Sequence, residues 1–227
     1  NSTSSCWTLH LDIEDFFDTV PPDQVERALN QTPVSGEVRD LVLGAIASRV
    51  QEDWIVRPSP LGLPQGSPLS PLLANLVLDE LDRTLDESVL SAGYVRYADD
   101  LVLLAPDEAS GADLLEHAER GLEQLGLRIN RAKTTFTPWS ESRFLGYGFR
   151  RNETAPGSPI RIISSENMES ARLAITERTD PSTLITFMEA ADSLAEFLHG
   201  WCNYAAFTVD RQQLPEVSGF ARSRLRD

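Results

Sequence analysis

The chain has 227 residues, with 35 acidic against 20 basic side chains, a formal net charge of -15 and a pI near 4.6. A hydrophobic share of 41% excludes a disordered chain, and the length suits one or two domains of roughly 100–200 residues. No apolar run approaches the roughly 20 residues of a membrane helix, residues 1–6 show no leader pattern, and two cysteines cannot build a disulfide framework or a zinc site. The expectation is a reduced, cytoplasmic protein without a membrane partner. The first residue is Asn1, not methionine, so an upstream part is expected.

Residues 7–13 alternate, with Trp7, Leu9, Leu11 and Ile13 on one side and Thr8, His10 and Asp12 on the other. That pattern predicts a half-buried strand with an aspartate at its end. Pro21-Pro22-Asp23 signals a short helix over 23–30. Ser35 can cap a helix over 37–50, with Leu41, Val42, Ala45 and Ile46 inward. Residues 58–71 are rich in Pro, Gly and Ser and read as a loop. A long amphipathic helix follows, with Leu72, Leu73, Leu76, Leu81 and Leu85 as its buried stripe.

Residues 93–105 place two apolar, β-rich runs around Ala98-Asp99-Asp100, which predicts a hairpin turning at the aspartates. Val95, Tyr97 and residues 101–104 predict that both strands are buried. A helix over 107–125 should end at Gly126. Residues 134–139 and 143–149 read as strands, Pro156-Gly157-Ser158-Pro159 as a turn and boundary, and residues 166–179, 183–199 and 213–226 as helices. This order fits an α+β architecture, an antiparallel sheet with helices on one face, followed by a small helical unit.

Charge is unevenly spread. From Arg128 to Arg161 seven basic residues face only Glu141 and Glu153. That strip is either an ordinary solvated surface or a phosphate-contacting face beside an acidic site. Adjacent aspartates are costly to bury, because like charges repel and lose hydration; a turn can simply expose them. Three carboxylates from neighbouring strands, Asp12, Asp99 and Asp100, would instead form a hard oxygen site suited to magnesium. Two such ions can activate a hydroxyl and stabilise a leaving oxygen in phosphoryl transfer. The Ile13 carbonyl could add one more oxygen.

Tyr97-Ala98-Asp99-Asp100 resembles the Tyr-X-Asp-Asp signature of reverse transcriptases. Leu11-Asp12-Ile13-Glu14-Asp15-Phe16-Phe17-Asp18 is similar to the first catalytic-aspartate motif of their bacterial group II intron-like branch. Residues 62–71 (GLPQGSPLSP) resemble its nucleotide-side motif, residues 125–130 with Lys133-Thr134 its lysine-bearing motif, and residues 144–149 (FLGYGF) the motif leading to the thumb. Residues 200–204 (GWCNY) resemble a stretch of the thumb or maturase-like region, although plain helix packing explains Trp201 and Tyr204 as well. Four matched residues alone would be weak; five motifs in order are not.

The resemblance implies a right-hand polymerase palm over residues 1–155 and a helical thumb over 156–227. It implies an RNA-directed DNA polymerase using two Mg2+ ions, with Mn2+ as a substitute, at Asp12, Ile13, Asp99 and Asp100. Its partners would be an RNA template, a DNA or RNA primer and dNTPs. It puts Phe17 under the incoming sugar, where a ring would clash with a 2′-hydroxyl. It puts Gln65 and Gly66 against the nucleotide, Lys133, the only lysine, near phosphate, and Arg96, Tyr97, Arg128, Arg131 and Arg143 along nucleic acid. Cys6, Cys202, His10, His117 and His199 show no metal spacing and read as packing or surface residues; Asp15 and Asp18 are not counted as ligands.

Only eleven residues precede Asp12, whereas the family carries a fingers region there. The fingers would be cut away, supplied by a partner chain, or missing from a reduced relative. The alternatives are a non-catalytic or partner-dependent RNA-binding scaffold, and a template-independent nucleotidyl transferase.

Overall fold

The computed structural model describes residues 6–47, 50–52, 55–57, 62–86, 92–155, 158–180, 182, 186–208 and 213–226. Residues 58–61 of the expected loop, the turn residues 156–157 and the expected helix start at 183 lie outside them. The chain forms two compact units, Ser4–Thr137 and Pro138–Asp227. Each has its own apolar cluster.

The first unit runs β1 (Trp7–Leu11), α1 (Phe16–Thr19), α2 (Pro22–Asn30), α3 (Gly36–Ile46), β2 (Val50–Glu52), β3 (Ile55–Arg57), α4 (Ser70–Asp86), β4 (Gly93–Tyr97), β5 (Asp100–Ala105), α5 (Gly111–Gln124) and β6 (Thr135–Pro138). Its main sheet has the order β4-β5-β1-β6, and β5 pairs antiparallel with both β4 and β1. Leu9 and Leu11 face Leu103 and Leu101 across the ladder. These four join Leu73, Leu78 and Leu81 of α4 and Leu114 and Leu122 of α5 in one core. The period-2 apolar pattern of the strands and the helical stripes therefore meet in a single layer, the expected α+β arrangement.

Several expectations shift in the structure. Val95 is 53% and Tyr97 64% exposed, because β4 is an edge strand, whereas β5 lies between β4 and β1. The α4 stripe is Leu73, Ala74, Val77, Leu78, Leu81 and Leu85, while Leu72 is exposed. In α3 only Ile46 is buried and Leu41 is 73% exposed. Apolar spacing told of an amphipathic helix there, but not of whether a neighbour covers it.

The second unit contains β7 (Arg143–Phe144), β8 (Tyr147–Arg150), β9 (Ile160–Ile163), α6 (Ser165–Arg178), α7 (Phe187–Ala205) and α8 (Gln213–Arg224). The single strand expected over 143–149 is a hairpin: Phe144 pairs with Tyr147, and Leu145 (φ 50) and Gly146 (φ 76) form its two-residue loop. Two successive left-handed residues are what a type I′ turn requires. A Cβ on Gly146 would stand 2.4 Å from the Tyr204 hydroxyl. That hydroxyl donates to the Leu145 carbonyl, the Tyr147 hydroxyl donates to the Tyr204 carbonyl at 2.6 Å, and the two rings stack at 4.8 Å. The FLGYGF and GWCNY stretches are thus one packed feature, with GWCNY inside α7. β9 falls where only helices were expected, and its pairing with β8 spans position 155/156.

Candidate active site

β1 carries chemistry on the face opposite its leucines. Strand alternation puts Thr8, His10 and the following Asp12 on that side. His10 is opposite Val102, so Asp100, two residues before Val102, belongs to the same face of the adjacent strand. The hairpin turn lies one residue earlier than expected: Tyr97 pairs with Asp100, leaving Ala98 and Asp99 as the loop. Ala98 has φ 55 and Asp99 does not share a positive φ, the pattern of a type II′ turn. Asp12 and Asp100 thus end neighbouring strands, and Asp99 sits in the turn between β4 and β5.

The next layer fixes Asp12 and Lys133 together. α5 ends in a Schellman motif: Gly126 N–H donates to the Glu123 carbonyl at 2.9 Å and Leu127 N–H to the Leu122 carbonyl at 2.9 Å. The reversed chain then runs beside Ile13, with Asn130 N–H donating to the Asp12 carbonyl at 2.8 Å and Glu14 N–H to the Arg128 carbonyl at 2.9 Å. Ile13 and Ile129 form the wide pair of this bridge, so the Ile13 carbonyl points away from Ile129. The Lys133 ammonium lies 3.5 Å from Asp12 Oδ2. His10 Nε2 meets Asp100 Oδ1. This contact departs from the reading of His10 as a packing or surface residue; strand parity relative to Asp12 is the sequence signal that points to it.

The substrate-side residues also converge on one another. Leu63 N–H donates to the Phe17 carbonyl at 2.6 Å. A Cβ on Gly62 (φ 129) would sit 2.3 Å from that carbonyl oxygen, so only glycine permits this approach. The Gln65 amide donates to both carboxylate oxygens of Asp18, at 3.2 and 3.0 Å. Phe16 is buried, and Phe17 is half-buried edge-on to it at 5.3 Å. Gly66 (φ 81) has open space where a Cβ would be. Residues 62–66 are thus fastened to residues 17–18, a link absent from the sequence reading.

The arginines divide. Arg96 is engaged within the fold: its guanidinium donates to both oxygens of Asp82, to Asn75 Oδ1 at 2.8 Å and to the Ala98 carbonyl at 3.0 Å. The Asp82 hydrogen bonds push its pKa up, against the burial that would lower it. It ties the Ala98-Asp99 turn to α4. Arg131 is held by both oxygens of Glu119 at 2.6 Å. Arg128 and Tyr97 are exposed. Arg143 belongs to the second unit and pairs with Glu166.

Among the described residues, no three His, Cys, Asp or Glu side chains gather closely enough to hold a metal ion. Lys133 and His10 each occupy an oxygen of one carboxylate. The donor chemistry, carboxylates with a main-chain carbonyl beside them, still fits a hard divalent cation such as magnesium. Among the described residues no helix is long and apolar enough to cross a membrane.

Comparison with known proteins agrees with the reverse-transcriptase resemblance of the motifs. The chain is 26% identical over 204 residues to Protein YkfC of Escherichia coli strain K12, covering 75% of this chain and 53% of that protein. It is 33% identical over 135 residues to the retron Mx65 reverse transcriptase of Myxococcus xanthus, covering 56% and 32%. The chain therefore spans about half or less of these relatives. Among solved structures, apo telomerase from Candida tropicalis aligns with a TM-score of 0.49 at 12% identity, over 63% of this chain and 33% of that one. Residues 1–149 match the family model "Reverse transcriptase (RNA-dependent DNA polymerase)", and the chain belongs to that family.

Proposed function

We propose that this chain supplies the nucleotidyl-transfer centre of an RNA-directed DNA polymerase. One observation carries the reading: Asp12 and Asp100 lie at the same end of the adjacent strands β1 and β5, on one face, with Asp99 in the β4–β5 turn beside them, inside the family match. The primer 3′-hydroxyl attacks the α-phosphorus of a dNTP. The new oxygen–phosphorus bond forms as the bond to the β-phosphate oxygen breaks, pyrophosphate leaves, and the hydroxyl proton passes to solvent. Asp12, Asp99, Asp100 and the Ile13 carbonyl would hold Mg2+, or Mn2+ in its place, which when bound neutralises developing charge on the phosphate oxygens.

The remaining assignments follow the same reading. Phe17 lies under the deoxyribose, Gln65 and Gly66 meet the nucleotide, and Lys133 leaves Asp12 to meet phosphate. Arg128, Tyr97 and Arg143 contact template or primer. Arg131 joins them only by releasing Glu119, and Arg96 acts by holding the turn. Residues 1–155 act as palm and 156–227 as thumb. The group II intron-like branch rests on the FFD and GLPQG stretches, and a reduced, cytoplasmic setting on the free thiols of Cys6 and Cys202.

A partner-dependent scaffold is the second reading, favoured by the carboxylates already engaged by Lys133 and His10. Extension on poly(rA) primed with oligo(dT) separates the two. The catalytic reading expects dTTP incorporation directed by the template. Normal binding of primed RNA with no incorporation, in a protein retaining its full flanking regions, would favour the scaffold. Incorporation independent of the template would indicate a different nucleotidyl transferase.

A further inference from the structure

We infer that His10 is a positioning residue for Asp100, an inference that rests on the metal-site reading above. His10 stands on β1 opposite Val102, and its ring reaches diagonally across the β1–β5 ladder to Asp100 Oδ1. An ionised carboxylate only accepts, so Nε2 carries the proton and donates. Asp100 opens β5 directly after the Ala98-Asp99 loop, at the end of the ladder, where its side chain needs a partner to fix its orientation. The His10 hydrogen bond supplies that constraint. It uses one oxygen and leaves Oδ2 for a cation.

Both side chains are about one-third exposed, 33% and 34%. A hydrogen bond open to this much solvent contributes little to folding. Its effect is on orientation: a partner outside the coordination sphere aims a ligating carboxylate, and losing such a partner typically weakens metal affinity by about 10- to 100-fold. His10 shares its face with Asp12, whose Oδ2 lies 3.5 Å from Lys133 Nζ. Two of the three carboxylates are therefore held by neighbours of different kinds: an exposed lysine from the chain after α5, and an imidazole on the central strand β1.

The test is Mn2+ binding to the 227-residue chain, with free Mn2+ counted by electron paramagnetic resonance, for the wild type, Asp12→Asn, Asp99→Asn, His10→Ala and His10→Gln. Far-UV circular dichroism checks folding of each. The expectation is loss of the site in both carboxylate variants, about tenfold weaker binding in His10→Ala, and recovery to within about threefold in His10→Gln, whose amide can donate from nearly the same place. Wild-type or tighter binding in His10→Ala, with the carboxylate variants still defective, would overturn the role of His10 and leave the metal site standing. Equal losses in His10→Ala and His10→Gln would overturn the hydrogen-bond explanation. Mn2+ binding indifferent to Asp12 and Asp99 would remove the metal site, and the role of His10 with it.

Discussion

At the scale of single residues, the site depends on a few side chains whose geometry makes distinct demands. Phe17 is half-buried against Phe16, and its carbonyl accepts from Leu63 N–H of the Gln65 loop. If the Phe17 ring excludes a 2′-hydroxyl, Phe17→Ala should raise ribonucleotide use relative to deoxyribonucleotide use by on the order of tenfold, read as the ratio of kcat/KM values. Arg96 is 11% exposed and its partner Asp82 21%. Arg96→Lys keeps the charge but cannot fill the forked geometry, so denaturant unfolding should show a loss of about 2–3 kcal/mol. An unchanged midpoint would show that the turn holds without Arg96.

Tyr204 gives a pH prediction of a different kind. Burial, then the neighbouring Tyr147, pushes its pKa up to about 12 from 10. The folded protein therefore holds this proton more firmly than the unfolded chain does. The resulting stability is complete below pH 10 and is lost as pH rises toward 12. Alkaline unfolding of the wild type should be steeper over that window than that of Tyr204→Phe. Parallel profiles would contradict the assignment.

At the scale of elements, periodicity was legible and coverage was not. The alternation of β1 announced a half-buried strand, and Leu9, Leu11 and Ile13 are indeed buried. The Ser35 cap was equally readable, its side chain accepting from Val38 N–H. What spacing could not reveal is how many neighbours an element has. β4 (GYVRY) and β5 (DLVLLA) are both rich in β-formers but occupy different positions in the sheet, and α3 has an apolar stripe that little covers. The contrast is measurable: Leu78→Ala in α4 should cost about 2–5 kcal/mol, whereas Leu41→Ser in α3 should stay within about 0.5 kcal/mol. A large loss at Leu41 would mean that a surface lies over it.

Turns were legible by composition and misplaced by one residue. Asp-Asp looks like the natural turn pair, yet Ala98 takes the left-handed position and Asp100 enters the ladder. This shift matters for the site, since it places Asp100 on the strand face shared with His10 and Asp12. Likewise the FLGYGF stretch has enough β-formers to read as one strand, and only the Leu145-Gly146 pair, with Tyr204 over it, reveals the hairpin. Gly62 could be read as a loop residue but not as one pressed against the Phe17 carbonyl, because that contact joins segments 45 residues apart.

At the scale of the whole molecule, two cores divide the chain, one drawn from residues 9–129 and the other from 163–221. The predicted metal and nucleotide residues all lie in the first unit, and among the nucleic-acid candidates only Arg143 lies in the second. The strong acidity of the chain does not oppose this arrangement, because a polymerase centre needs local carboxylates and the basic residues cluster between 128 and 161. The motifs carried the family because each combines a backbone requirement with a chemical one: a turn with carboxylates, a glycine loop with an amide, a helix end with a lysine. Strand parity makes the shared face of His10 and Asp12 legible, but not that His10 meets Asp100, which the register between β1 and β5 sets, nor that Gln65 meets Asp18, which loop docking sets.

The most direct test is magnesium-dependent dNTP incorporation on an RNA template with a DNA primer, comparing the wild type with Asp99→Asn in a protein that retains its flanking regions. Template-directed extension that requires Mg2+ should fall by about 10³-fold in Asp99→Asn, with primed RNA still bound. Extension that survives the loss of Asp99 would contradict the metal-site reading.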